Sequence, residues 1–215
     1  MKKQSIQSGF SLVEMMVAIA IFMVVAVVAV SALLKIVDAD RKSKTLQDTV
    51  NNINFAMDSI TREIRVGSAY TCGSGSTGYQ GSIPQTSQGI SCSATQSNPN
   101  NNSGVYIAFL SSNIDPNHTP ACNLAYSYYF QPVPVPGGTY TWTIEKAQES
   151  SCGSGLSAYY PIIDRSIIIT AYSIKVVEGN PLVQPSVFIY ISGYTGKTDK
   201  TKTYFDLQTT ISERI

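Results

Sequence analysis

The chain has 215 residues, 13% of them charged, with a net charge of +1. That length allows one domain of ordinary size plus an appendage. The small net charge excludes a broad basic field of the kind that draws nucleic acid, leaving only a local patch open.

Residues 1–9, MKKQSIQSG, are basic and polar and end in glycine, and from Met15 to Leu34 no residue is charged. Twenty helical residues span about 30 Å, the thickness of a bilayer's hydrocarbon core, so this run is a transmembrane helix candidate. An ordinary secretory signal has a shorter apolar region and a small-residue cleavage site after it. Here any cleavage belongs before the apolar run, at Gly9. Lys2 and Lys3 lie before the span, whereas Lys35, Arg41, Lys42 and Lys44 follow it. Counted alone, these cations place the C-terminal part in the cytoplasm. Glu14 opens the apolar run, and two readings stand: a carboxylate that snorkels to water, or one that awaits a cationic partner.

From Lys35 on, the pattern becomes amphipathic. Leu46, Val50, Ile53, Met57, Ile60 and Ile64 fall on one helical stripe. No proline interrupts residues 10–66, and Gly67 is a plausible stop. The expectation is one helix, its transmembrane half at 10–36 and its amphipathic half at 37–66, followed by a β-rich domain at 67–215. Residues 73–103, uncharged and rich in Gly, Ser, Gln and Asn, read as a loop. Strands are expected at Val105–Leu110, Leu124–Phe130, Thr139–Lys146, Ser166–Val177, Ser186–Thr195 and Thr203–Ser212, where Tyr, Ile, Val and Thr dominate. A helix followed by strands indicates an α+β fold, the helix packed on a mainly antiparallel sheet that covers the stripe from Leu46 to Ile64.

Cys72, Cys92, Cys122 and Cys152 form no C-x-x-C pair, and His118 is the only histidine, so no zinc set is complete. An even count in a Ser/Thr-rich domain reads as two disulfides and an oxidising compartment, against the alternative of four buried thiols. Proximity favours Cys72–Cys92 with Cys122–Cys152, although spacing alone does not fix connectivity.

No acidic loop of EF-hand type occurs, so neither a metal nor another cofactor is expected. Gly196-Lys197-Thr198 lacks the first glycine of a phosphate loop, since Ile191 occupies that position. The carboxylates Asp115, Glu145, Glu149, Asp164, Glu178, Asp199, Asp206 and Glu213 fall into no catalytic motif. Tyr126, Tyr128, Tyr129, Tyr159 and Tyr160 could line a contact surface or pack across strands.

The segment GFSLVEMMVAIAIF, Gly9 to Phe22, closely resembles the processing and methylation segment of type IV pilins and type II secretion pseudopilins. The resemblance rests on the short basic leader, Gly9, Phe10, and Glu14 as the fifth residue after the cut. It implies cleavage between Gly9 and Phe10 by a prepilin peptidase on the cytoplasmic side, N-methylation of Phe10 and a C-terminal domain outside. That orientation answers the conflict raised by the lysines. Cleavage turns the uncharged Phe10 amide into an amine of pKa near 8, a cation for the Glu14 carboxylate of a neighbouring subunit or of the same chain one turn away.

More loosely, QPSVFIYISG at 184–193 and FDLQTTISER at 205–214 look like the large minor subunits, J-type or W-type, of such filaments. The long uncharged loop and the cysteines do not map onto that subgroup. The implied role is a non-enzymatic filament subunit of the inner membrane that helps to initiate or cap assembly. Its implied partners are other pilin-like subunits, the peptidase, an assembly platform and the lipid bilayer, with nucleic acid only in a DNA-uptake system. The competing roles are an anchored adhesin or ligand-binding protein and, behind it, an anchored enzyme.

Overall fold

The computed structural model describes residues 9–75, 92–96, 98, 100–115, 122–150, 158–177, 179, 184–196 and 202–212. Residues 1–8 of the leader, most of the expected loop, His118, Cys152 and the connection 197–201 lie outside them. Helix α1 runs Leu12–Arg65, two residues inside the expected start and one inside the expected end. The chain divides into two compact units, residues 1–44 and 45–215.

In the first unit α1 has no packing partner among the described residues. Phe10, Leu12, Phe22 and Val27 are 67–81% exposed, and none of the apolar stretch is buried. A helix hydrophobic on every side needs an apolar surrounding, and this one is long enough to cross a membrane.

The second unit is the α+β body. Thr49, Ile53, Ala56, Met57, Ile60 and Ile64 are the buried residues of α1. Leu46 and Val50, both expected in the stripe, remain 39% and 40% exposed. Leu46 shares the stripe's azimuth but precedes Thr49 by most of a turn, and Val50 lies about 60° off the line of Ile53. Thr49 tolerates burial because its hydroxyl donates to the Thr45 carbonyl at 2.7 Å. Arg62 and Arg65 occupy the last turn, where cations complement the helix dipole. The Tyr70 hydroxyl closes that end by reaching the carbonyls of Ile64 and Gly67, each at 2.7 Å.

Nine strands follow among the described residues: β1 Gly67–Gly75, β2 Cys92–Gln96, β3 Gly104–Asp115, β4 Cys122–Val135, β5 Thr139–Ser150, β6 Tyr160–Pro161, β7 Ile167–Val177, β8 Ser186–Thr195 and β9 Thr203–Ser212. All pairings are antiparallel, in the order β1-β3-β4-β5-β7-β8-β9, with β2 on β7 and β6 on β5. The six expected strands are present, β8 and β9 at the expected bounds. Three others went unread. β1 and β2 are rich in Ser and Gly or short, and β1 is in place because its glycines admit the side chains of β3. A Cβ on Gly73 would stand 2.5 Å from the Tyr106 hydroxyl. Segment 73–103 is therefore not wholly loop, since it holds the end of β1 and all of β2.

β4 continues past Phe130 through Pro132 and Pro134. The β3 ladder ends at Val105↔Phe130, so these prolines lie where β4 has β5 alone as a neighbour, and a missing N–H is tolerated there. The hairpin turns at Gly137 and Gly138, with φ of 105° and 75°.

The core lies between α1 and the inner sheet face. Ile60, Ile64, Ile107, Phe109, Tyr128, Phe130, Trp142, Tyr172, Ile174 and Ile189 are each under 2% exposed. Phe130 stacks on Tyr172 at 4.5 Å, and Trp142 meets that ring edge-on at 5.6 Å. Each such pair adds about 0.5–1.5 kcal/mol beyond area burial. Tyr126, Tyr128 and Tyr129 are buried. They therefore belong to the core and form no contact surface. Of the five tyrosines considered, Tyr160 is 47% exposed and Tyr159 packs edge-on against Tyr129 at 5.6 Å.

Candidate functional site

Gly9, Phe10 and Ser11 precede the helix without regular structure, and α1 begins at Leu12 with Glu14 in its first turn. The Met15 amide donates to the Ser11 carbonyl at 3.2 Å, closing that turn. Ser11 and Glu14 thus stand three apart at the start of the helix, the spacing of a capping box, a signal that the hydrophobic pattern obscured. A carboxylate in a first helical turn is favoured by the free amides and the helix dipole. The same placement leaves Glu14 exposed and available to a cation outside the helix.

Nothing in the fold asks for glycine at position 9. A Cβ built there meets no atom within 4 Å, and its φ is not in the left-handed region. Phe10 is equally free, at 81% exposure. Gly9, Phe10 and Glu14 therefore share one short, solvent-exposed stretch whose chemistry is directed outward.

A second polar group holds the β-rich body together. Glu63, on the flank of the buried stripe, accepts a hydrogen bond from the Tyr128 hydroxyl at 2.6 Å and a second from the Lys146 ammonium. Lys146 also lies 4.5 Å from the Tyr126 ring centroid, a cation–π contact. The side chains of Lys146 and Glu63 are only 12% and 22% exposed. Burial, then the Glu63 hydrogen bond and charge, push the Tyr128 phenol well above its ordinary pKa. Burial likewise raises the Glu145 carboxyl. Glu63 and Lys146 escaped the sequence reading; the available signal was a lone acid beside Ile60 and Ile64.

A cavity of about 320 Å³ lies between the body's helical turns and the start of β7, lined by Thr45, Asp48, Thr49, Asn52, Asp164 and Ser166. The Asp164 amide donates to the Asn52 side chain at 3.1 Å, and the Ser166 amide donates to the Asp164 carboxylate at 2.7 Å. Hydrogen bonds from Ser166 hold the Asp164 carboxyl below its ordinary pKa. Among the described residues no three His, Cys, Asp or Glu side chains converge as a metal set.

Cys72 is half-buried on β1 and Cys122 is buried at the start of β4; each is held in a disulfide. Cys92 opens β2, while Cys152 lies outside the described residues.

A prokaryotic N-terminal methylation motif matches residues 4–30. No curated protein and no solved structure matches the chain. The matched stretch takes in Gly9, Phe10, Glu14 and most of the apolar run, which supports a type IV pilin-like, membrane-anchored and peptidase-processed protein.

Proposed function

We propose that the chain is a minor structural subunit of a type IV pilus-like or type II secretion pseudopilus filament, cut after Gly9 and methylated on Phe10. The observation that carries this reading is the methylation motif ending in a helix that exposes apolar side chains on every side. Such a surface is satisfied by lipid before assembly and by other helices of the same kind afterwards. Proteolysis converts the Phe10 nitrogen from an amide into a cation. Glu14, held in the first helical turn, then gains a partner of opposite charge, which offsets the cost of taking its carboxylate out of water.

The β-rich body, residues 67–215 with the helical turns beneath it, is the exported part. Disulfides at Cys72 and Cys122 accord with an oxidising compartment. In this reading the chain acts by assembly with other pilin-like subunits and not by catalysis; the size of its body favours a minor subunit that helps to initiate or cap assembly.

The test is co-assembly. Wild-type protein expressed with its filament system should appear in sheared filament or pseudopilus fractions, cross-linked to other pilin-like subunits. Glu14→Gln should be processed normally yet remain in the membrane. Equal recovery of both proteins from membranes alone, with no cross-linked partner, would contradict the reading.

A further inference from the structure

Residues 35–44 carry Lys35, Arg41, Lys42 and Lys44 against Asp38 and Asp40, an excess of cations directly after the apolar run. Removal of the leader takes away Lys2 and Lys3, so these become the only side-chain cations bordering the span. The positive-inside rule disfavours them on the exported side.

Helical geometry gives them a place. Glu14 and Lys35 are about 31 Å apart along the helix axis at 1.5 Å per residue, which matches a hydrocarbon core of about 30 Å. With Glu14 at one interface, Lys35 reaches the headgroups of the other. Lys42 lies two turns further on the same side, about 10 Å outward, within the reach of a long side chain folding back toward the phosphates. Lys44 is occupied by Asp40 at 3.4 Å. Neither Lys35 nor Lys42 makes an ion pair among the described residues, and Asp38, between them on the same side, makes none either. A carboxylate flanked by two ammonium groups leaves that side cationic.

We propose that Lys35 and Lys42 bind the phosphates of anionic phospholipids at the exported face of the bilayer and hold the unassembled subunit at a fixed depth. The proposal rests on the membrane-spanning reading given above. Charge complementarity and continuity with the apolar span identify the ligand as a lipid headgroup.

The full chain is reconstituted in vesicles of phosphatidylcholine alone or mixed with phosphatidylglycerol, and the lipids retained after mild detergent extraction are identified by native mass spectrometry. The wild type should retain phosphatidylglycerol in preference, with enrichment of roughly fivefold to tenfold that falls as salt rises. Lys35→Gln/Lys42→Gln should lose the preference and Lys35→Arg/Lys42→Arg should keep it, all three remaining resistant to alkaline carbonate extraction. Carbonate-resistant protein without a lipid preference, or a preference that survives the glutamine pair, overturns the proposal and leaves the span intact. Lipid-independent behaviour combined with loss of assembly in the glutamine pair would overturn it too, assigning the lysines to a neighbouring subunit's carboxylates. Extraction of the wild type by carbonate would instead overturn the membrane-spanning reading itself.

Discussion

The Glu63 carboxylate on α1 accepts a 2.6 Å hydrogen bond from the Tyr128 hydroxyl on β4, joining the helix to the middle of the sheet. Lys146 on β5 binds the same carboxylate, so one acid ties three elements together. Glu63→Gln leaves the Lys146 ammonium, 12% exposed, without its counter-charge. The expected loss is about 2–4 kcal/mol, and Glu63→Gln/Lys146→Met should recover part of it. Denaturant titration of the full chain in detergent measures both, and additive losses in the pair would disprove the coupling.

Alkaline pH should loosen the same region. Burial raises the phenol pKa values of both Tyr128 and Tyr172 above the ordinary 10.0. A group that resists deprotonation only when folded contributes its full stability below the unfolded pKa and loses it as pH rises above that value. Stability should therefore be flat in this respect up to about pH 10 and fall beyond it. Tyr128→Phe should reduce the slope of that fall while costing about 1.5–3 kcal/mol at neutral pH through the lost bond to a charged acceptor. A Tyr128→Phe profile parallel to the wild type would show that this phenol does not titrate on unfolding.

Gly193 on β8 faces Phe205 on β9 across a continuous ladder. A Cβ there would stand 2.3 Å from the Ile168 carbonyl oxygen and 2.8 Å from the Phe205 ring. Gly193→Val should cost about 2–3 kcal/mol by overpacking. Thermal denaturation checks this, and an unchanged midpoint would mean that the close approach is not present.

At the other end of the chain, Gly9→Val should separate processing from folding. No atom lies within 4 Å of a Cβ at Gly9, so the stability of the body should be unchanged. Peptidase cleavage should be abolished, leaving a protein heavier by the leader on an intact-mass measurement. Normal cleavage of this variant would remove Gly9 from the recognition site.

Sequence proximity is the basis for expecting Cys122–Cys152 with Cys72–Cys92. Non-reducing peptide mapping should recover Cys122–Cys152 and Cys72–Cys92. Replacing either pair by serine should cost about 2–4 kcal/mol. Crossed pairs, Cys72–Cys152 with Cys92–Cys122, would refute the assignment.

The legible parts of this chain were those where one physical pattern dominates. The uncharged run from Met15 to Leu34 and the alternation in β8 and β9 each have a single periodicity and few breakers. β1 was illegible because its glycines erase the alternation, and its place is dictated by Tyr106 on another strand. β4 hid its second half behind Pro132 and Pro134, which are harmless only because β3 ends earlier. Leu46 has the right azimuth and hydrophobicity for the core, yet it remains 39% exposed, one step before the first buried residue of the helix, Thr49. At the candidate site, Gly9, Phe10 and Glu14 could be singled out from sequence because their chemistry is local, and the methylation motif spans all three. The group of Glu63, Tyr128 and Lys146 was not, since its members come from three elements that only the folded sheet brings together.

The central claim concerns a chemical event at one peptide bond, so the most direct measurement is the intact N-terminus of protein isolated from native membranes, read by peptide mass spectrometry. The account predicts a terminal Phe10 carrying an N-methyl group and no peptide from residues 1–9. A stable membrane protein retaining Met1 would contradict it and would make the apolar helix a simple anchor.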